Sequence, residues 1–184
     1  MNKVYEPLFT PWKIGNVEIK NRIAVCPMGG TSLFGWMEPH HFDKDAGDFF
    51  LDLARHDAGL IIPGIAPIRN MIGNRWLYKA NGAFKKLKPY MEEIHKTGAK
   101  LFVQLTAGFG RSFSIPQSLA GIAKKKFLRG MLKPIIDIDR LTASPSELPS
   151  RWLAGYKCRA LTKQEILDMI DGFAKTAKKC KEAG

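Results

Sequence analysis

Cysteine is scarce in this 184-residue chain: Cys26, Cys158 and Cys180 lie far apart and form no C-x-x-C pair. That spacing excludes a disulfide scaffold and the usual zinc and dithiol motifs, so the three read as reduced, structural residues. Acidic residues are also few, 17 against 29 Lys and Arg, which leaves a formal charge of +12. Such a charge attracts nucleic acid, an anionic membrane or a phosphorylated small molecule. The positive residues are scattered, with clusters at Lys85 to Lys88, Lys124 to Arg129 and Lys175 to Lys181, and no aromatic-basic ribbon accompanies them. Nucleic acid is therefore the weakest of the three partners. No apolar run approaches the roughly 20 residues that span a bilayer, and the opening "MNKVYEPLFTPW" lacks the basic-then-apolar order of a secretory signal. A cytoplasmic protein without a membrane span is expected.

What is present is a recurring order of strand, loop, helix and glycine. "WKIGNVEIKN" alternates around Gly15-Asn16 and predicts a hairpin. "RIAVCP" predicts a buried strand emptying into a loop with Gly29 and Gly30. Phe42, Ala46, Phe49, Phe50 and Leu53 recur at helical spacing between His41 and Asp57, with Gly59 as the expected left-handed cap. "LIIP" is the second strand. Leu87, Tyr90, Met91 and Ile94 form the next helical stripe, Gly98 ends it, and "KLFVQL" is the third strand.

Thr106 to Ala160 is rich in Pro, Gly and Ser, and its middle basic cluster is expected in a long loop. A segment of that length is functional or carries its own subdomain. The last helix opens on a Thr162 to Glu165 capping box and is expected to bury Ile166, Ile170, Phe173, Ala177 and Cys180.

Three β/α units predict a parallel sheet covered by helices, either doubly wound or part of a (β/α)8 barrel, which takes about 250 residues to close. The phrases "RHDAG" and "HKTG" each run into a strand, whereas "KKCKEAG" does not. The expectation is a fourth strand in sequence beyond this chain. Ligands of such sheets bind at the carboxyl ends of the strands, here "CPMGG", "PGIAP" and "QLTAGFGR". Small residues or proline at all three ends, with the Gln104 amide able to donate and accept, suit a planar heterocycle with an imide edge.

"LFTPWKIGNVEIKNRIAVCPMGG" closely resembles the opening of the Old Yellow Enzyme family of FMN-dependent ene-reductases, and the likeness continues through "AGLII", "HKTGAKLFVQL" and the last helix. "GIAP" and "QLTAGFGR" point to the 2,4-dienoyl-CoA reductase-like branch, which includes bile-acid and steroid 4-ene oxidoreductases. The resemblance implies that residues 1–184 are the amino-terminal part of an FMN-binding TIM barrel, with three β/α units, a short β-hairpin and the long loop 106–160. It implies backbone contacts from Pro27, Met28 and Gly29 to the flavin, with Gly64, or its neighbour Ile65, beside the ring system and Gln104 on the pyrimidine edge.

Where the family has "QLxHxGR", this chain lacks the histidine and places Arg111 one residue later. Arg111 then meets a phosphate or an acidic substrate group, or caps a loop. By resemblance, hydride passes from NADH or NADPH through FMN to the C=C bond of an enone or an enoyl or dienoyl thioester. The catalytic side chains are expected after the fourth strand, beyond Gly184, so this chain alone is expected to be inactive. Longer relatives allow a 4Fe-4S cluster and FAD in a longer parent, and a homo-oligomer is compatible with the reading. His40, His41, His56, His95 and Tyr156 read as surface or packing residues. Two alternatives stay open: desaturation of a 3-oxo steroid or bile acid in the reverse sense, and a non-catalytic half-barrel that pairs with itself.

Overall fold

The computed structural model describes residues 3–35 and 38–184. A short 3-10 helix, Lys3–Phe9, leads into the antiparallel hairpin β1 (Trp12–Ile14) and β2 (Val17–Ile19). Gly15 turns it at φ 57°, a left-handed conformation that costs glycine nothing. The expected hairpin is therefore present, and Arg22 lies 4.2 Å from the Trp12 ring centre.

The repeating units follow. β3 (Ala24–Val25) precedes α1 (Lys44–Arg55), β4 (Leu60–Ile61), β5 (Ala66–Pro67), α2 (Asn81–Lys96), β6 (Lys100–Leu101) and β7 (Leu105–Thr106). β3, β4 and β6 pair in parallel in that spatial order, with Ala24 opposite Leu60 and Leu60 opposite Lys100. Farther along the same chain paths β5 pairs in parallel with β7, Ala66 opposite Leu105. The sheet is open: these are three β/α units, not a closed barrel.

α1 and α2 cover the strands because their apolar residues share one face. Phe50 and Ala54 of α1 pack with Ile61 and with Phe84, Leu87, Met91 and Ile94 of α2 in the main core. Each large side chain buried there contributes about 1.5–3 kcal/mol. Phe49, expected on that face, is instead 43% exposed.

Asp43 caps α1, its carboxylate accepting from the Ala46 amide at 3.0 Å. At the other end the left-handed residue is Asp57, at φ 67°, rather than the expected Gly59. Gly59 serves packing: a Cβ there would lie 2.3 Å from Asn21 Oδ1. Gly98, at φ 79°, ends α2 as expected.

Residues 106–160 hold more structure than a loop. They fold into α3 (Gln117–Lys124), α4 (Lys126–Leu132), α5 (Ile138–Leu141) and an antiparallel pair, β8 (Leu148–Pro149) with β9 (Lys157–Cys158). Met71, Phe113, Ile138, Leu141, Tyr156 and Cys158 form a second core beneath them. The middle basic cluster thus sits on α3 and α4 rather than in a loop, beside the highly exposed Phe127.

The final helix, α6 (Lys163–Glu182), has the predicted capping box between Thr162 and Glu165. Its buried face differs from expectation. Gly172 and Thr176 are buried, a Cβ on Gly172 would lie 2.3 Å from the Trp76 ring, and Cys180 packs against the main core. Ile166, Ile170 and Ala177 are exposed, Ile170 by 60%. Close approach to Trp76 selects the small-residue side of the helix, which turns the aliphatic stripe outward.

Candidate functional site

The chain leaves β3 through Cys26 to Gly30, all exposed, where proline and two glycines interrupt the strand. Thr31 folds back, its hydroxyl donating to the Met28 carbonyl at 2.9 Å. The Gly64 amide then donates to the Thr31 carbonyl at 3.2 Å and approaches its hydroxyl at 3.3 Å. On the far side, the Ala66 amide donates to the Gln104 carbonyl at 2.8 Å, and Ile68 does so to Thr106 at 2.9 Å. Three strand ends are thereby joined in one row, Met28 to Gly64 to Gln104.

The row places the sequence-predicted residues unequally. Pro27, Met28 and Gly29 are exposed, and a Cβ on Gly29 would meet nothing within 4 Å, so its backbone is open to a ligand. Gln104 is exposed, and its carboxamide makes no hydrogen bond among the described residues. Gly64 is buried, with space for no Cβ beneath the Met28 carbonyl, while its neighbour Ile65 is half-buried. Gly64 therefore has a packing role visible in the chain itself, the close approach of two loops.

Arg111 stands apart from the row, its guanidinium donating to the Pro149 carbonyl at 3.4 Å while its own carbonyl accepts from the Arg151 amide. His40 is held by the Pro67 carbonyl at 2.9 Å, and burial pulls its pKa down. Burial and then the Lys100 charge do the same to His95. His41 lies 3.8 Å from Glu38, and His56 lies beside Asp52 on the helix surface. Tyr156 is buried in the second core, its hydroxyl 3.1 Å from both Thr142 and Asp139, so it packs rather than lines a channel.

Burial raises the Cys158 thiol, and raises that of Cys180 to about 11. Both are poor nucleophiles. Cys26 is exposed, and all three are free. No group of three or more metal-ligating side chains occurs among the described residues, and no helix there is long and apolar enough to cross a membrane.

Two arginines that the sequence did not single out, Arg69 and Arg140, line a cavity of about 320 Å³. They are 71 positions apart in no motif, so only the fold brings them together.

The profile of the NADH:flavin oxidoreductase / NADH oxidase family matches residues 7–184. The chain belongs to that family. Among curated proteins, cinnamate reductase of Clostridium sporogenes is 31% identical over 193 aligned positions, covering 100% of this chain and 25% of the relative. A metal reductase of Desulforamulus reducens is 28% identical, covering 96% and 23%. The chain thus spans about a quarter of the length of these relatives.

Among solved structures, 2-naphthoyl-CoA reductase superposes with a TM-score of 0.69 at 20% identity, covering 98% of this chain and 26% of that one. The Old Yellow Enzyme homologue of Zymomonas mobilis superposes at 0.62 and 23% identity, covering 96% and 46%. The fold is that of the corresponding part of an Old Yellow Enzyme barrel, and the resemblance drawn from "LFTPWKIGNVEIKNRIAVCPMGG" agrees with it.

Proposed function

We propose that this chain supplies the flavin-cradling strand ends of an FMN-dependent oxidoreductase that reduces the C=C bond of an α,β-unsaturated carbonyl compound or enoyl or dienoyl thioester. The observation that carries this reading is the exposed Gln104 carboxamide, without a hydrogen-bond partner among the described residues, in the same row as the open backbone of Gly29. A carboxamide donates and accepts together, as the imide edge of a flavin pyrimidine requires.

The residues present fit FMN. Pro27, Met28 and Gly29 would present backbone groups to it, Gly64 would keep the second loop close behind them, and Gln104 would fix the pyrimidine edge. FMN held there would supply hydride transfer between NADH or NADPH and the β-carbon of the acceptor. The protein's share is orientation: an open glycine would admit the flat ring, and the Gln104 amide would set its rotation by pairing with the pyrimidine edge. The named activity of the cinnamate reductase relative supports an enoate or enone as acceptor.

FMN titration onto the purified chain, followed by quenching of flavin fluorescence, tests the cradle. Saturable quenching weakened several-fold by Gln104→Ala is expected; equal quenching in both proteins overturns the role of Gln104. Turnover is measured on the native gene product as NADH and NADPH oxidation with cinnamate, an enoyl-CoA and a 3-oxo-4-ene steroid. Lack of flavin absorbance in that product overturns the proposal.

A second reading draws on the exposed Ile166 and Ile170 of α6: a half-barrel without catalysis that pairs with itself through this stripe. A stable dimer by light scattering, with no FMN binding, would favour it.

A further inference from the structure

The cavity of about 320 Å³ lies between the loop that follows β7, α5 and the first turns of α6. None of Pro27, Met28, Gly29, Gly64 or Gln104 lines it. Its polar wall is cationic. Arg69 and Arg140 both face it, and neither makes an ion pair among the described residues.

Arg140 donates through Nη2 to the Asn70 carbonyl at 3.0 Å, but its Nε is buried without a hydrogen-bond partner among the described residues. Arg69 donates through Nε to the Asn74 carbonyl at 3.3 Å and lies 4.7 Å from the Trp76 ring centre, which fixes its plane. Burial first, and the Arg69 charge second, lower the Arg140 guanidinium to about 10.

The nearby carboxylates are engaged elsewhere: Asp168, whose charge acts most on Arg69, accepts from the Gln164 side-chain amide at 2.8 Å. Glu165 also lines the cavity, but both its oxygens accept from Arg159, at 2.8 and 2.6 Å, and one accepts from the Thr162 amide. Asp137 caps α5 by accepting from the Arg140 backbone amide at 3.1 Å. Two neighbouring cations partly withdrawn from water are a standing cost that an incoming anion would reduce. The remaining lining, including Ile68, Leu141 and Met169, is apolar, with room for the body of an organic molecule beyond its charged group.

We propose that this cavity is a binding subsite for an organic oxyanion, a carboxylate or a phosphate monoester, whose charged group is held by Arg69 and Arg140 and whose apolar body lies against Leu141 and Met169. The guanidinium fork suits either oxyanion, since both present two oxygens at matching separation. The inference is independent of the flavin reading, because the two sites share no residue.

The test is calorimetric titration of the 184-residue chain with benzoate, phenyl phosphate and inorganic phosphate. Saturable binding of benzoate or phenyl phosphate is expected, and the tighter of the two identifies the oxyanion. Arg140→Met and Arg69→Met should each weaken it about tenfold or more, the size expected for losing a charge-assisted hydrogen bond. Arg140→Lys should recover part of the loss. Arg22→Met, a change at a distant exposed arginine, should leave binding unchanged.

Circular dichroism and urea midpoints of the ligand-free variants separate lost affinity from lost folding; Arg140→Met, which leaves the Asn70 carbonyl without its donor, is expected to unfold at somewhat lower urea while keeping the folded spectrum. Absence of saturable binding by either organic probe overturns the proposal. So does equal affinity in the well-folded Arg140→Met and Arg69→Met proteins, or binding by inorganic phosphate alone.

Discussion

Gly64 and Met28 approach so closely that a Cβ on Gly64 would sit 2.3 Å from the Met28 carbonyl oxygen. The obstructing atom is backbone, so no rotamer change relieves the clash. Gly64→Ala must therefore push the first and second strand ends apart, a loss of about 1–3 kcal/mol by analogy with other overpacked sites. Urea unfolding should show it as a lower midpoint at unchanged slope. Gly29→Ala, where the added methyl meets nothing within 4 Å, should stay within about 0.5 kcal/mol of the parent. If FMN lies on this row, Gly29→Ala weakens flavin binding without that loss of stability.

Glu165 joins a helix cap to an ion pair. It accepts from the Thr162 amide at 2.9 Å and from Arg159 in a two-pronged bridge. The Arg159 bonds are the main cause that holds its carboxyl down at about 2. A depressed carboxylate adds stability above its unfolded pKa of about 4.3, and that stability disappears as the pH falls towards 2. Glu165→Gln keeps a cap-competent side chain but loses the charge. With partial solvent screening, the expected cost at pH 7 is on the order of 1–2 kcal/mol. Urea midpoints for the two proteins should converge between pH 4 and pH 2, and a constant gap over that range would refute the ion-pair account.

Local signals in the chain carried the repeating units: the Gly15 turn, Gly98 at the end of α2 and the Thr162 to Glu165 box each appear where short-range chemistry predicts them. Signals whose meaning depends on distant contacts mislead. Gly59 looks like a cap in sequence, but the side chain that requires its small size is Asn21, 38 positions earlier. The α6 stripe looks buried by period alone, whereas Trp76 selects a neighbouring side, about a quarter-turn round the helix, through Gly172.

In the candidate site, the exposure of Pro27, Met28, Gly29 and Gln104 was legible because loops and glycines at the ends of parallel strands lie at the surface. The Arg69 and Arg140 pair was not, since residues of separate units meet only after folding.

Exposed Ile166, Leu167 and Ile170 occupy one side of α6, at 40%, 48% and 60% exposure. Replacing Ile170, the most exposed of the three, should cost little within one molecule. Ile170→Lys is therefore expected within about 0.5 kcal/mol of the parent in urea. The same change should reduce concentration-dependent association, because an exposed apolar stripe is a contact surface. Light scattering across a concentration series measures this. Identical association in both proteins would show that the stripe is not what joins the molecules.

Thr176 is fully buried on the inner side of α6, and its hydroxyl has no hydrogen-bond partner among the described residues. Tyr90 presents the same situation on α2: its ring lies 5.1 Å from Phe42, its hydroxyl is buried without a partner, and burial raises its pKa. An unsatisfied buried hydroxyl costs about 1–3 kcal/mol of desolvation, so an apolar replacement of similar shape recovers part of that cost. Thr176→Val keeps the branched shape, and the two residues have similar helix propensity, so packing is preserved. Each of Thr176→Val and Tyr90→Phe should raise stability by about 1 kcal/mol. Their effects should add, because no hydrogen bond links the two hydroxyls among the described residues. A fall in stability on Thr176→Val would mean that the hydroxyl is satisfied in solution, for instance by a buried water, and the urea midpoint decides between the two outcomes.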